Sequence, residues 1–429
     1  MPPEDSRLAI LKPPMSTPHV RHPELLAHRD EFPLLSRSVY LNTCSLGARS
    51  ERSRRRLDAY LDDWDTLGAR AWYRRWLGEL DDLREGFGAL IGVPGTEVTL
   101  APNVSVALAV IASTLDAVHR GDAATAELLR GAGIAAGLTP RPRVITTELD
   151  FPTIGHQWRA REALGVELVV IGSPDGIGVP LEAFAEAIDE RTALVATGHV
   201  YFTTGARVDL RPLADLCHER GALLLVDAYQ ATGIVPTDVV ADGVDAYVSG
   251  TLKWLFGGSG MAFAWIRPAL HAALVPTTAG WFSSARQFAF AVDELAYAPD
   301  GRRYELGTPS MPSAAIARGG MDLVREIGVE RLGERTSDLG DLLVSLADGA
   351  GLEVRGPRGA ASRGGIVPIG VADPKPVVDA LANEGIIVDF RPGVVRCSPA
   401  FYNTQDEVRL LVERLDALVP PNDRRVSPG

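Results

Sequence analysis

Between residues 98 and 266 the chain repeats one pattern: a short apolar run, a helical stretch, then another apolar run. The runs, rich in Val, Ile and Leu, are Val98 to Leu100, Arg143 to Leu149, Val166 to Gly172, Thr192 to Thr197, Ala222 to Asp227, Asp245 to Ser249 and Met261 to Ile266. Most are continuous rather than alternating, as strands are when both faces are covered. Helical patterns such as Leu181 to Ile188 and Leu213 to Arg220 fall between them. Strand, helix, strand in that order predicts an α/β fold built on a mainly parallel sheet with helices on both sides.

The flanking regions differ in texture. A Pro-rich arm comes first, read as a flexible extension or a strap across a partner subunit, and a helical stretch follows from about Glu51 to Leu90. Trp72 and Trp76 lie four apart on one face of it, a spacing that suits core or interface packing. Beyond about Leu306 the pattern becomes helix, strand, helix, with a Gly-rich loop from Gly356 to Gly365. The last helix opens at Thr404, which with Glu407 forms a capping box. The expected organisation is an arm over 1–38, a large domain over 39–300 with a helical segment to about 95, a smaller α/β domain over 301–420, and a tail over 421–429. The segment Asp116 to Pro140 is longer than a plain connection, and Gly131 to Ala136 within it matches a loose GxGxxA dinucleotide fingerprint. That match follows the helical stretch Ala123 to Arg130 instead of a strand, so it does not predict nucleotide binding.

Charge narrows the partners. Lys plus Arg is 43 against 55 for Asp plus Glu, a net charge of −12, which repels phosphate backbones and acidic lipid. No apolar run approaches the roughly 20 residues of a membrane span. The first forty residues lack the apolar core of a signal peptide, and Cys44, Cys217 and Cys397 stand too far apart for a CxxC pair. A cytoplasmic enzyme acting on a small molecule, without nucleic-acid, membrane or metal partners, is the expectation.

The chemistry concentrates at two strand ends. In Ala222-Leu-Leu-Leu-Val-Asp-Ala-Tyr-Gln230 five apolar residues run directly into Asp227, and a carboxylate there needs a cation or strong donors. In Ser249-Gly-Thr-Leu-Lys-Trp254 a lysine stands just past a strand end. Ligands of open α/β sheets collect at the carboxyl ends of strands. A lysine and an aspartate so placed fit pyridoxal phosphate chemistry: Lys253 would form a Schiff base with the cofactor aldehyde, and Asp227 would keep the pyridine nitrogen protonated. The structural alternative is an aspartate that caps a helix and a solvated lysine.

The stretch VDAYQATGIVPTDVVADGVDAYVSGTLKWLFGGSG strongly resembles the fold-type I, pyridoxal-phosphate-dependent enzymes of the aminotransferase class V branch, which includes cysteine desulfurases, kynureninases and isopenicillin N epimerase-like proteins. The resemblance extends from about Val39 to Val419. It implies that Lys253 is the Schiff-base lysine, Asp227 the partner of the pyridine nitrogen and Gln230 a contact to the phenolic oxygen. It also implies phosphate binding by Val104 and Ser105, where a simple helix cap would use the same geometry. By the same likeness Phe151 stacks on the ring, or else is a packed core residue, and His199 faces the site, or else is a satisfied structural histidine. Arg396, in Val388-Asp-Phe-Arg-Pro-Gly-Val-Val-Arg396, resembles the residue that clamps the substrate carboxylate, the alternative being a structural pair with an acidic neighbour. Trp281 and Thr308 resemble residues that reach the neighbouring subunit's phosphate, so a homodimer is expected.

Departures from the family limit the reaction. Phe151 stands where cysteine desulfurases carry histidine, the loop from Gly356 to Gly365 has no cysteine, and Leu252 and Ala400 replace frequent histidines. Lys253 is then the expected proton carrier. A lyase-type reaction on an amino acid, elimination or kynureninase-like cleavage, is the leading reading. Aminotransfer or epimerisation is the alternative, and cysteine desulfuration or a non-catalytic binding protein follows behind.

Overall fold

The structure, a computed structural model, describes residues 19–420, so the tail 421–429 and the first part of the arm lie outside the described residues. The strands are β1 (Val39–Tyr40), β2 (Val98–Ala101), β3 (Arg143–Thr147), β4 (Glu167–Ile171), β5 (Thr192–Gly198), β6 (Leu223–Asp227), β7 (Ala246–Gly250), β8 (Ala262–Ile266), β9 (Val367–Gly370), β10 (Ile386–Ile387), β11 (Asp389–Arg391) and β12 (Val394–Cys397). One seven-stranded sheet has the order β2-β8-β7-β6-β5-β3-β4, in which only β8 runs against its neighbours. All seven apolar runs named from the sequence are strands of this sheet, and the sheet is mainly parallel as expected.

The continuous apolar character of the runs has a direct cause. Along β6, Leu223 and Leu225 enter one core and Leu224 and Val226 the other, so both faces of the strand are buried. Helices supply the two covers. They are α1 (Glu51–Leu67), α2 (Leu77–Ile91), α3 (Val104–Ser113), α4 (Asp116–Arg120), α5 (Ala123–Gly131), α6 (Pro152–Arg159), α7 (Leu181–Ala187), α8 (Leu210–Glu219), α9 (Met311–Ile327), α10 (Val329–Gly349), α11 (Pro374–Asn383) and α12 (Gln405–Leu418). Residues of α2, α7, α8 and α9 line one core; residues of α3, α5 and α6 line the other. A third cluster joins α10 and α12 to a three-stranded antiparallel sheet of order β11-β12-β9. Thr404 and Glu407 form the capping box of α12 as read from the sequence. Among the described residues no helix is long and apolar enough to cross a membrane.

The N-terminal helical stretch differs from the sequence reading. The helical stretch from Glu51 to Leu90 is broken: Gly68 ends α1 with a φ of 54°, and a short π-helical turn over Trp72–Trp76 precedes α2. There Trp76 is buried, its ring 5.0 Å from that of Trp72 and 5.1 Å from that of Tyr60. Helix α3 starts at Val104, with Asn103 accepting the Val106 amide at 3.0 Å. The described part of the arm packs on its own chain: Leu25, Phe32 and Leu35 are buried, Arg21 binds Asp338 of α10 at 2.9 Å, and Arg29 binds Glu407 of α12 at 2.5 Å. The Gly131 to Ala136 match follows α5, a helix, as the sequence suggested.

Candidate active site

Asp227 and Lys253 meet because β6 and β7 are parallel neighbours, which brings their carboxyl ends side by side. The turn after β6 curls so that the Tyr229 amide donates to Asp227 Oδ1 at 2.9 Å. Asp227 is only 7% exposed, and burial pushes its carboxyl above the usual range despite that hydrogen bond and the Lys253 charge. Past β7, the Thr251 hydroxyl donates to the Gly258 carbonyl at 2.8 Å, and the Lys253 carbonyl accepts the Phe256 amide at 3.1 Å. The segment before α1 closes over this turn, with the Gly47 amide on the Leu252 carbonyl at 2.8 Å. A β-carbon at residue 47 would collide with the Lys253 carbonyl oxygen, so the close approach requires glycine.

Lys253 Nζ lies 4.7 Å from the Tyr229 ring centroid and 5.8 Å from that of Phe151. Burial lowers its pKa to about 8; Asp227 and Cys44 oppose the fall, and Arg396 and Arg391 add to it. A lysine poised there is partly neutral near physiological pH and can act as a nucleophile or a proton carrier.

These residues line a cavity of about 180 Å³, whose wall also includes Asp150, Gly198, Val200, Tyr201, Phe202 and Gln230. Phe151 is 44% exposed and meets Phe202 edge-on at 5.2 Å, so it is not a packed core residue. Gln230 donates through Nε2 to the Cys44 carbonyl at 2.9 Å and accepts the Trp254 indole N–H at 3.1 Å. Its amide nitrogen carries two hydrogens, so one remains beyond the bond to Cys44.

Arg396 is 1% exposed and reaches three segments: Nη1 donates to the Phe202 carbonyl at 2.6 Å, and Nη2 to the Ser45 hydroxyl at 2.8 Å and to Asp389 at 2.5 Å. Its Nε–H is buried without a partner. The acidic neighbour is therefore real, and a donor is still left for a carboxylate. Although burial pushes the Asp389 carboxyl up, the Ser45 hydroxyl and Arg396 hold it down at about 2. Arg391 shares the same carboxylate oxygen at 2.9 Å.

Not every expected residue joins the cavity. His199 does not face it. Gly198 and Val200, on either side of the histidine, line the wall, whereas His199 is buried and does not. Burial, with Arg207 nearby, pulls the His199 imidazole down to about 3, its Nδ1 has no partner, and its backbone N–H donates to the Asp227 carbonyl at 2.9 Å. Val104 is buried and Ser105 exposed at the start of α3; neither lines the cavity. Trp281 and Thr308 line a different hollow with Trp72, Tyr73 and Phe288. The turn that carries Thr308 is held by the buried pair of Arg84 and Glu305, 2.8 Å apart.

Three groups escaped the sequence reading. Asp150 accepts from Thr146, Thr147 and Thr197 hydroxyls and from the Thr147 and Gly198 amides at 2.6 to 3.2 Å, tying the ends of β3 and β5; burial still pushes it up to about 6. Asp389 and Tyr229 are the others, and both stand inside runs quoted above, two residues from an assigned one or across a hairpin from it.

Comparison with known proteins follows the same lines. The family model described as Aminotransferase class-V matches residues 121–411. "Uncharacterized aminotransferase YcbU" of Bacillus subtilis is 32% identical over 394 residues, covering 91% of this chain and 97% of that protein. The kynureninase of Pseudomonas fluorescens is 31% identical over 407 residues, covering 90% and 92%. Among solved structures, a C-DES mutant with glycine covalently linked to its PLP cofactor matches with a TM-score of 0.79 and 20% identity over 90% of this chain and 98% of that one, which shows a shared fold.

Proposed function

The chain belongs to the aminotransferase class-V family and is a pyridoxal-phosphate-dependent enzyme, and from that premise we propose that it cleaves an amino-acid substrate in a lyase-type reaction, by elimination or kynureninase-like cleavage. The observation that carries the reading is one cavity lined by Lys253, Asp227 and the ring of Phe151. Its residues fit the cofactor. Asp227 is a buried carboxylate with a backbone hydrogen bond from Tyr229 alone among the described residues, and so calls for a cation. Gln230 keeps a spare N–H, and Phe151 presents an uncovered ring.

Bound there, pyridoxal phosphate supplies an electron-withdrawing ring that stabilises negative charge at the substrate's α-carbon. Asp227 would hold the ring nitrogen protonated, Gln230 would donate to the phenolic oxygen, and Phe151 would cover one ring face. Val104 and Ser105 would meet the phosphate at the start of α3. Lys253 anchors the cofactor and, when free, holds and moves a proton at Nζ. Arg396 would orient the substrate carboxylate through its unpartnered Nε–H.

Phe151 and the segment Thr203-Thr-Gly205 support the lyase reading, as does the relative named kynureninase. Thiol chemistry lacks support, since Cys397 is fully buried in β12 with its thiol pushed up by burial. The relative named an aminotransferase favours amino transfer as the second reading. Incubation with an amino-acid panel separates them: without any added 2-oxo acid, elimination is expected to release ammonia and a keto acid, and kynureninase-like cleavage a smaller amino acid and a carboxylic acid. Turnover that depends on a 2-oxo acid acceptor would replace the lyase reading with amino transfer, and inversion at the α-carbon alone would replace it with epimerisation.

Trp281 and Thr308 lie outside the Lys253 cavity of their own chain, and the Trp281 ring packs against exposed Phe288 and Phe290. They complete the reading as contributions to a neighbour's site in a homodimer. Light scattering is expected to give twice the chain mass, and a fully active monomer would remove this part. A cytoplasmic location belongs to the same reading, supported by three unpaired cysteines.

A further inference from the structure

We propose that Tyr229 is a positioning residue for Lys253: its ring is the platform on which the lysine amine rests, and residue 250 is glycine because that ring needs the space. The proposal rests on Lys253 as the anchoring lysine. Among the described residues Nζ has no hydrogen-bond or ion-pair partner, and its nearest ring is that of Tyr229, 4.7 Å away, with Phe151 5.8 Å away. An ammonium over a π face is attracted without being locked by an acceptor. A carboxylate in the same place would hold the proton far more tightly.

The ring is itself fixed. The Tyr229 backbone amide is bound to Asp227, and burial pushes the phenol up to about 12, so it stays neutral. Gly250 does not have a positive φ, so backbone conformation does not demand glycine there. Space does: a β-carbon at 250 would stand 2.5 Å from Tyr229 Oη and 2.7 Å from Cε2. The groups that face the amine are Asp227 from β6, Cys44 from the segment before α1, Arg391 from β11 and Arg396 from β12, besides Tyr229. Only Tyr229 and Phe151 offer a ring.

The chain has three lysines, Lys12, Lys253 and Lys375, which makes the test direct. Cofactor-free enzyme is methylated with 13C-formaldehyde, and the Lys253 signal, identified by its loss in Lys253→Ala, is titrated by NMR. Tyr229→Phe is expected to titrate like the wild type, and Tyr229→Leu roughly 0.5 to 1 pH unit lower, because the face that favours the charged amine is gone. Gly250→Ala, checked for folding by circular dichroism, is expected to reproduce the Tyr229→Leu shift, and the double variant to add nothing. A Tyr229→Leu titration that is unchanged or higher, a Tyr229→Phe shift as large as that of leucine, or additive shifts in the double variant would each overturn the proposal. In the holoenzyme, an absorbance spectrum and turnover left unchanged by Lys253→Ala would instead overturn the assignment of Lys253, and the two failures are thus distinct.

Discussion

Replacing Lys253 with alanine is expected to give a folded protein that loses the absorbance band of the lysine-linked cofactor and does not turn over substrate. Folding survives because no hydrogen bond of the amine is lost among the described residues. Activity does not, because proton transfer by a positioned group contributes roughly 10² to 10⁴ in rate, and the covalent anchor is lost with it. Among the described residues no other lysine can substitute, because Lys375 is exposed and paired with Asp379 at 2.6 Å. Absorbance of the purified variant and its single-turnover rate are the measurements. Lys253→Arg is the control that keeps charge but stays protonated. Unchanged colour and rate in the alanine variant would end the functional reading.

Asp227→Asn is expected to keep the fold and lower kcat by roughly 10² to 10⁴, since a buried cation left without its partner costs about 3 to 5 kcal/mol and each 1.4 kcal/mol is tenfold. The substitution is nearly isosteric, and an amide oxygen still accepts the Tyr229 amide seen at 2.9 Å. The loss therefore reports on charge. Steady-state kinetics on a cofactor-saturated variant check it, and a loss of less than about tenfold would place the essential charge elsewhere.

The strand order was legible to the extent that burial writes itself into composition. Leu223 to Val226 read as a strand because both faces meet a core, and Asp227 stood out because it ends that run. What depended on chain segments meeting across long distances was not legible. Arg396 and Asp389 are opposite each other in a hairpin, and the register Asp389 to Arg396 places the acid beside the base. Nothing in their spacing tells whether the turn between them is tight or open. His199, left open between the site and a structural role, lies between two lining residues without lining the cavity, and the break at Gly68 was hidden by a helical pattern that continues on both sides of it. Asp150 gathers donors from two strands that are parallel neighbours yet nearly 50 residues apart, as the separation of 48 to Gly198 shows.

The guanidinium of Arg396 touches the carbonyl of Phe202, the hydroxyl of Ser45 and the carboxylate of Asp389 at once. Those three come from the middle, the beginning and the end of the described chain, so the residue works as a knot where separate threads are drawn together. On the proposed reading, in which Arg396 holds the substrate carboxylate, selection of a substrate by its anionic end is a property of the finished tertiary assembly. A fragment that stopped short of the final hairpin would keep Lys253 and Asp227 in its sequence and lose the arginine that this reading assigns to the substrate carboxylate.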